Sequence, residues 1–297
     1  MKTPTYLIIS ILLFIQSNRV CQAQVKVLND ISYLEAANTE NDSLQRLNLT
    51  LPGQVDKPPL LIWIGGGAWS YTDRNVEMDL ARQFATRGIA VASIGHRLSS
   101  ALWRDSTHNL GAEHPDHIED VAMAFKFLHN HAMEYGYDAG KIFIGGFSSG
   151  AHLASLLVMD RKYLDKYALS KDLIRGIIPI AGMYDVPHYH ETLANSQRPE
   201  LATLHVESVF GRTNEQHIEA SPTRYVDHLS TPTLLISERD SYTYTRIFED
   251  RIREAGFREI EILHVQALGH SALWKDLSFN PDSRYRELII GFINAHT

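Results

Sequence analysis

The chain has 297 residues, of which 44% are hydrophobic and 21% are charged, an ordinary composition for a globular protein of one large domain or two small ones. Its 28 Lys and Arg residues against 35 Asp and Glu residues give a net charge of −7, and no basic run interleaves with aromatic residues. These properties argue against a nucleic acid or an anionic membrane as partner. The single cysteine, Cys21, excludes an intrachain disulfide framework and any cysteine-built zinc or iron–sulfur site.

The N-terminal segment has the pattern of a secretory signal peptide. A charged start precedes an apolar run over residues 6–15, which is half of the ~20 residues that a membrane-spanning helix needs. We therefore predict a signal peptide over residues 1–23, cleaved after Ala23, and a secreted or periplasmic protein. Lipid modification of Cys21 is the alternative, and the bulk of the preceding Val20 disfavours it.

Residues 24–297 contain no linker, repeat or low-complexity tract, which predicts a single domain. Apolar runs bounded by turn residues alternate with stretches of helical spacing, and this alternation predicts an α/β fold with a mostly parallel central sheet and helices on both faces. Residues 45–51 alternate in polarity, as an antiparallel edge strand would. The irregular stretch 185–222 is predicted to be an insertion or lid over the mouth of the sheet. The predicted strands cover residues 60–64, 89–94, 142–144, 174–180, 233–236 and 260–265, and the predicted helices cover 76–87, 118–133, 149–159, 244–255 and 284–295.

The pentapeptide Gly146-Phe147-Ser148-Ser149-Gly150 lies between a predicted strand and a predicted helix. This is the arrangement of a nucleophile elbow, a sharp turn that exposes a serine hydroxyl at the start of a helix. The turn requires flanking residues without side chains, which the two glycines provide. The pattern therefore predicts that Ser148 is a catalytic nucleophile.

A serine hydroxyl needs a base to take its proton, and the base needs a carboxylate to orient it. In this type of fold the chain order is Ser, acid, His. Asp240 and His270 each follow a predicted strand, where the active sites of open parallel sheets lie. We predict Asp240 as the acid and His270 as the base, with Glu238 and Asp185 as alternative acids.

A glycine run over residues 65–67 directly follows the strand 60–64, so main-chain N–H groups there can approach a substrate oxygen closely. Together with the N–H of Ser149, this run is predicted to form an oxyanion hole. The Lys and Ser/Thr of a phosphate-binding loop are absent from it. His188 and His190 lack an evident third ligand, so the sequence predicts neither a metal nor an organic cofactor.

Several motifs occur in a fixed order: Gly66-Gly67-Ala68-Trp69, Gly95-His96-Arg97-Leu98, Pro115 to Val121, Gly146 to Ala154, and then Asp240 and His270. In this order they resemble the α/β-hydrolase superfamily, and within it the esterases related to hormone-sensitive lipase and the bacterial acetyl and feruloyl xylan esterases. The resemblance runs from about residue 60 to the C-terminus.

The resemblance implies that Ser148 is the nucleophile, Asp240 the acid and His270 the base, with the N–H groups of Gly66, Gly67 and Ser149 as oxyanion donors. Two positions depart from the family pattern. Gly65 stands where a histidine usually precedes the two glycines, which removes a side chain that usually braces the oxyanion loop. Ser237 stands where a glycine is common before Glu-x-Asp.

The sequence therefore predicts a secreted serine esterase that acts through an acyl-enzyme. The family resemblance favours small or aromatic acyl groups on polysaccharides such as acetylated or feruloylated xylan. The alternatives are an aryl-formamide (formyl-kynurenine) hydrolase with the same triad and a catalytically inactive, hydrolase-like binding protein. The sequence gives no oligomeric state.

Overall fold

The computed structural model describes residues 25–34, 43–107 and 110–297. The predicted signal peptide, its cleavage site and Cys21 lie outside these residues. Eight strands form one sheet in the order β1-β2-β4-β3-β5-β6-β7-β8. The strands are β1 (Lys26–Ser32), β2 (Arg46–Leu51), β3 (Leu60–Ile64), β4 (Ala90–Ile94), β5 (Ile142–Phe147), β6 (Ile174–Ile180), β7 (Thr233–Glu238) and β8 (Ile260–Val265).

The six strands β4-β3-β5-β6-β7-β8 are parallel, and β2 runs antiparallel to both of its neighbours, β1 and β4. The predicted antiparallel strand at residues 45–51 is present as β2. Its predicted position at the edge of the sheet is wrong, because β1 pairs with its outer side. The pairing of β1 shifts register between Leu28 and Ile31, where Asp30 has a positive φ of 56°.

Twelve α-helices connect and cover the described strands. The helices are α1 (Met78–Ala85), α2 (Asp116–Asn130), α3 (Ala132–Tyr135), α4 (Ser149–Met159), α5 (Lys162–Asp165), α6 (Val186–Ala194), α7 (Glu200–Ala202), α8 (Ser208–Phe210), α9 (Asn214–Glu219), α10 (Tyr242–Glu254), α11 (His270–Phe279) and α12 (Arg284–Ala295). Five of the helices agree with the predicted helical ranges to within three residues: α1, α2, α4, α10 and α12. Within the described residues, none of them combines the length and the apolar character needed to cross a bilayer.

Apolar side chains pack on both faces of the sheet. One buried cluster holds residues of α2, α4 and α10, and the other holds residues of α1, α11 and α12. Every residue of α4 is buried, which explains why its sequence is apolar on all sides. The observed layers confirm the predicted α/β fold class.

The stretch 185–222, predicted as an irregular insertion, connects β6 to β7 and is largely helical. It contains α6 to α9 and a turn of π-helix at Thr203–Glu207. Asp185 caps α6 by accepting a hydrogen bond from the N–H of His188 at 3.0 Å, and Thr213 forms a capping box at the start of α9. Short, separately capped helices explain why the segment shows no single hydrophobic period.

Candidate active site

Ser148 lies in the sharp turn between β5 and α4, as the pentapeptide predicts. Its backbone has φ 56° and ψ −118°, a conformation that costs a non-glycine residue about 1–3 kcal/mol. A hydrogen bond from its N–H to the carbonyl of Ile180, 2.9 Å long, fixes the turn to β6. The flanking glycines permit close backbone packing, since a methyl group on Gly150 would lie 2.0 Å from the carbonyl oxygen of Ile64. The turn therefore presents the hydroxyl of Ser148 at the N-terminus of a buried helix.

Ser148 and His270 line the same cleft at the carboxyl end of the parallel strands. The cleft has a volume of about 270 Å³. Its described walls come from the loop after β3, the segment between β4 and α2, the turn of Ser148 and α11. None of the residues lining it belongs to the stretch 185–222. The lining residues are Gly66, Gly67, Tyr71, Asp73, Val76, Glu77, Arg104, Phe147, Ser148, His270, Ser271 and Trp274.

The imidazole of His270 is held by a buried carboxylate. Nδ1 of His270 lies 3.0 Å from Oε1 of Glu238, whose side chain is fully buried while the histidine side chain is 39% exposed. Glu238 also accepts hydrogen bonds from the N–H groups of Asp240 and Ser241. Burial by itself would raise the pKa of Glu238, but these hydrogen bonds, first of all that from His270, hold its pKa below the usual value. Glu238 is therefore a carboxylate that can orient His270.

The geometry favours Glu238 over the predicted acid, Asp240, because the carboxylate of Asp240 does not contact the imidazole ring of His270. Its side chain is 53% exposed, and its carboxylate accepts a hydrogen bond from the backbone N–H of His270 at 2.9 Å. That bond lowers the pKa of Asp240 and anchors the start of α11, whereas Glu238 contacts the ring. Strand β7 continues two residues beyond the predicted run 233–236. Its last residue, Glu238, is therefore part of the buried strand, and its side chain is shielded from solvent. Asp185, the third candidate, lines a separate cavity.

The predicted oxyanion loop lies beside the nucleophile turn. Gly66 packs so closely that a methyl group on it would be 3.1 Å from Cβ of Ser148 and 3.1 Å from the carbonyl oxygen of Phe147. Gly67 has φ +151° and no room for a side chain against the backbone of Thr72. The N–H groups of Gly66 and Gly67 donate no hydrogen bond to any described residue, and Ser149 begins α4. The three predicted donors thus flank Ser148.

The loop continues through Ala68 and Trp69, which both have positive φ angles. The indole N–H of Trp69 lies 3.2 Å from Nδ1 of His152, and the other ring nitrogen of His152 lies 2.8 Å from the carbonyl of Ala220. Burial lowers the pKa of His152 to about 3, so the ring is neutral and can accept from Trp69. Trp69 is 3% exposed, and its contact with His152 holds the end of the predicted oxyanion loop against α4.

Sequence reasoning missed several residues of the cleft wall, among them Tyr71, Glu77, Arg104 and Trp274. The guanidinium of Arg104 lies 4.0 Å from the centre of the Tyr71 ring. Tyr71 and Glu77 follow the glycine run within twelve residues, and the other two lie far from it in sequence. None of the four belongs to a motif whose spacing would have indicated a place in the cleft. Among the described residues, no three His, Cys, Asp or Glu side chains are grouped so that they could hold a metal ion.

A mostly parallel sheet with a serine at a strained strand-to-helix turn defines an α/β-hydrolase fold. The esterase B of Lactobacillus rhamnosis superposes with a TM-score of 0.75 at 20% identity, covering 91% of this chain and 85% of that one. A truncated carbohydrate esterase from gut microbiota superposes with a TM-score of 0.68 at 20% identity, over 93% and 97% of the two chains. The BD-FAE family matches residues 47–243, more than half of the chain, so the chain belongs to the BD-FAE family.

Curated relatives are similar at lower coverage of their own length. The probable carboxylic ester hydrolase LipM of Mycobacterium tuberculosis is 26% identical over 76% of this chain and 51% of its own. The kynurenine formamidase-like hydrolase fscH of Fusarium equiseti is 29% identical over 67% of this chain and 70% of its own. The chain spans about half the length of LipM and of the esterase LipC from the same organism.

Proposed function

We propose that this protein is a serine carboxylic-ester hydrolase that acts through an acyl-enzyme. One observation carries the proposal: a strained serine opens onto a cleft that it shares with a histidine, and that histidine is bonded through its far nitrogen to a buried carboxylate. Membership of the BD-FAE family supports it, as do the sequence similarity to the probable carboxylic ester hydrolase LipM and the fold shared with esterase B.

The roles in the proposed reaction follow from the contacts. Because Nδ1 of His270 bonds to Glu238, its proton resides there, and Nε2 is the basic nitrogen. Nε2 takes the proton of Ser148 Oγ as this oxygen attacks the ester carbonyl carbon. The carbonyl oxygen becomes negative and is stabilised by the N–H groups of Gly66, Gly67 and Ser149.

The tetrahedral intermediate collapses when His270 returns the proton to the alcohol oxygen. The bond between this oxygen and the acyl carbon breaks, the alcohol departs, and the acyl group remains bonded to Ser148 Oγ. Water then attacks the acyl carbon with His270 as base again, and Ser148 leaves with the proton. Glu238 stabilises the imidazolium that forms in each half of the reaction. These steps require neither a metal nor an organic cofactor.

The test uses Ser148 directly. Ser148→Ala should keep the fold and lose nearly all ester turnover, with only the residual catalysis that binding and oxyanion donors give. A serine-reactive phosphonate should modify the wild-type protein at Ser148, and peptide mass spectrometry can locate the modified residue. Most activity remaining in Ser148→Ala, or labelling at another residue, would contradict the assignment.

The substrate is proposed to be a small-molecule or polysaccharide ester with an acetyl or aromatic acyl group. A cleft of about 270 Å³ with Asp73 and Arg104 in its wall suits a short acyl group on a polar alcohol better than a long chain, and the carbohydrate esterase similar in fold supports this choice. Turnover should fall steeply from acetyl or butyryl esters to chains of about ten carbons, because extra methylenes find no surface to bury.

The similarity to fscH favours one other substrate, an aryl formamide. A panel of nitrophenyl esters, acetylated xylan, feruloyl esters and formyl-kynurenine separates the two. A preference for formyl-kynurenine over every ester would establish the alternative.

Export to the periplasm or medium remains a proposal that rests on residues 1–23, with cleavage after Ala23. N-terminal sequencing of the exported protein should give Gln24 as the first residue. A diacylated Cys21 would contradict this and indicate a lipid anchor.

A further inference from the structure

The carboxyl group of Glu77 is buried in the wall of the catalytic cleft and held by two indoles. The residue is 3% exposed. The indole N–H of Trp63 donates to Oε2 at 2.9 Å, and Nε1 of Trp274 lies 3.3 Å from each carboxyl oxygen. No described Lys or Arg forms an ion pair with it. Burial raises the pKa of Glu77, and the negative charge of Asp73 adds to that effect. Burying a carboxyl group without a cation costs free energy, and the hydrogen bonds from the two indoles offset only part of that cost.

This carboxyl occupies the space where a side chain at position 65 would lie. A Cβ atom on Gly65 would be 2.9 Å from Oε1 of Glu77 and 3.1 Å from its Cγ. The carboxyl therefore packs against the first glycine of the oxyanion loop from the side. The departure at Gly65 is thus compensated in space by a residue twelve positions further along the chain.

The partners of Glu77 belong to the elements that carry the catalytic groups. Trp63 is on β3, one residue from the end of the strand that leads into the oxyanion loop. Trp274 is on α11, about one helical turn after His270. Glu77 itself precedes α1. A single carboxyl group consequently joins the oxyanion loop to the helix that begins with the base.

We propose that Glu77 is a positioning residue for the hydrolysis reaction, which sets the oxyanion loop and the base helix at their working separation. The inference rests on the proposed function, because it concerns the geometry of that same site. Glu77 need not touch substrate for this role, since its contacts with Trp63 and Trp274 already join the two elements. A displacement of about 1 Å between reacting groups can cost on the order of 10²-fold in rate.

The main experiment compares Glu77→Ala and Glu77→Gln with the wild type on a soluble nitrophenyl acetate. Glu77→Ala should lower kcat by about 10²-fold with little change in KM, since the misplacement affects the transition state more than binding. Glu77→Gln keeps the shape and an oxygen acceptor and should recover most of that loss. The rate of Ser148 labelling by a phosphonate should fall in parallel with kcat.

Trp63→Phe is the second variant, because Trp63 contacts Glu77 but does not line the cleft. It should also lower kcat without changing KM. If Glu77→Ala does not fold, this variant tests whether the contacts of Glu77 position the catalytic groups. Glu249→Ala is the matched control. Glu249 is likewise a buried glutamate, at 5% exposure, but it is bonded to Arg246 and Arg253 on α10 and to His264 on β8, and none of these residues lines the cleft. Its loss should lower the melting temperature and leave kcat unchanged.

The outcomes separate the positioning role from its alternatives. A folded Glu77→Ala with the kcat of Glu249→Ala would show that Glu77 is merely structural and overturn the inference. A rise in KM at constant kcat would overturn it as well, because Glu77 would then contact substrate. Failure of the proposed function looks different: the wild type itself would hydrolyse no ester and leave Ser148 unlabelled.

Discussion

Two carboxylates lie next to His270, and they contact different atoms of it. Glu238 contacts the imidazole and is fully buried, whereas Asp240 accepts from the backbone N–H and is half exposed. A buried carboxylate selects the tautomer of the ring and stabilises its positive charge, because no water competes for the hydrogen bond. The half-exposed carboxylate of Asp240 instead stabilises the start of α11, because it accepts a hydrogen bond from the backbone N–H of His270. The two substitutions should therefore differ strongly in rate.

We expect Glu238→Gln to lower kcat by up to about 10⁴-fold, because the amide favours the wrong tautomer of His270. Asp240→Asn keeps an oxygen that can accept from the N–H of His270, so its loss should be far smaller. Steady-state kinetics on nitrophenyl acetate, with circular dichroism to check the fold, measure both. A larger loss in Asp240→Asn would restore Asp240 as the acid.

The choice between these carboxylates could not be made from the sequence. Residues 237–240 place both of them just past an apolar run, and only the length of β7 decides which one turns inward. Ser148, His270 and the glycine run were predicted because each depends on a local pattern that backbone geometry imposes. Glu77 and Trp274 carry no such pattern, because the residues that they contact lie on other elements.

At the scale of elements, α4 crosses the end of β3 without any intervening side chain. A methyl group on Gly150 would be 2.0 Å from the carbonyl oxygen of Ile64 and 2.9 Å from that of Gly65. The contact is between two backbones, so neither partner can rotate away. The helix N-terminus and the oxyanion loop are held together by this close approach.

Gly150→Ala should accordingly push α4 away from β3, with a loss of stability of at least about 1–3 kcal/mol and a loss of ester turnover. Gly291→Ala is the matched control, because Gly291 is an exposed residue of α12 with no atom within 4 Å of the new methyl group. It should stabilise the protein by about 0.5–1 kcal/mol. Urea unfolding of both variants measures the difference, and an equal effect of the two would contradict the backbone contact.

Strand and helix positions were predicted well where burial imposes a clear period. The runs 60–64, 174–180 and 260–265 match β3, β6 and β8, and the helix 149–159 matches α4. Strand β1 was missed because its burial is partial and its polar residues break the alternation. Helix α11 was missed because it begins directly at His270, the predicted base.

The molecule as a whole keeps a group of histidines buried and uncharged. Burial lowers the pKa of His114 to about 4 and that of His152 to about 3, and it also lowers the pKa values of His96 and His117. In the unfolded chain a histidine has a pKa of about 6.5. Below that pH the unfolded state therefore binds more protons than the folded state.

The free energy of unfolding should thus be largest above about pH 6.5 and fall as the pH drops toward 4, by up to about 1.4 kcal/mol per pH unit for each such histidine. Urea unfolding at pH 7.5, 6 and 5 measures the slope. His152→Gln should make the slope shallower in this window. Carboxylates with lowered pKa values, such as Glu238, act only at lower pH, so a stability independent of pH between 6.5 and 4.5 would contradict the buried neutral rings.

Strand β1 also determines how the protein behaves toward other copies of itself. The inner neighbour β2 is buried along nearly its whole length, and without β1 its unpaired N–H and C=O groups would offer a template for strands of other molecules. In β1, the outermost strand among the described residues, the bulge at Asp30 is held by Arg46 and Arg74. It interrupts the regular spacing of such groups and, as bulges do, increases the local twist of the strand. A chain shortened past residue 32 would therefore leave β2 as an unpaired edge strand and would be expected to aggregate even though Ser148, Glu238 and His270 are intact.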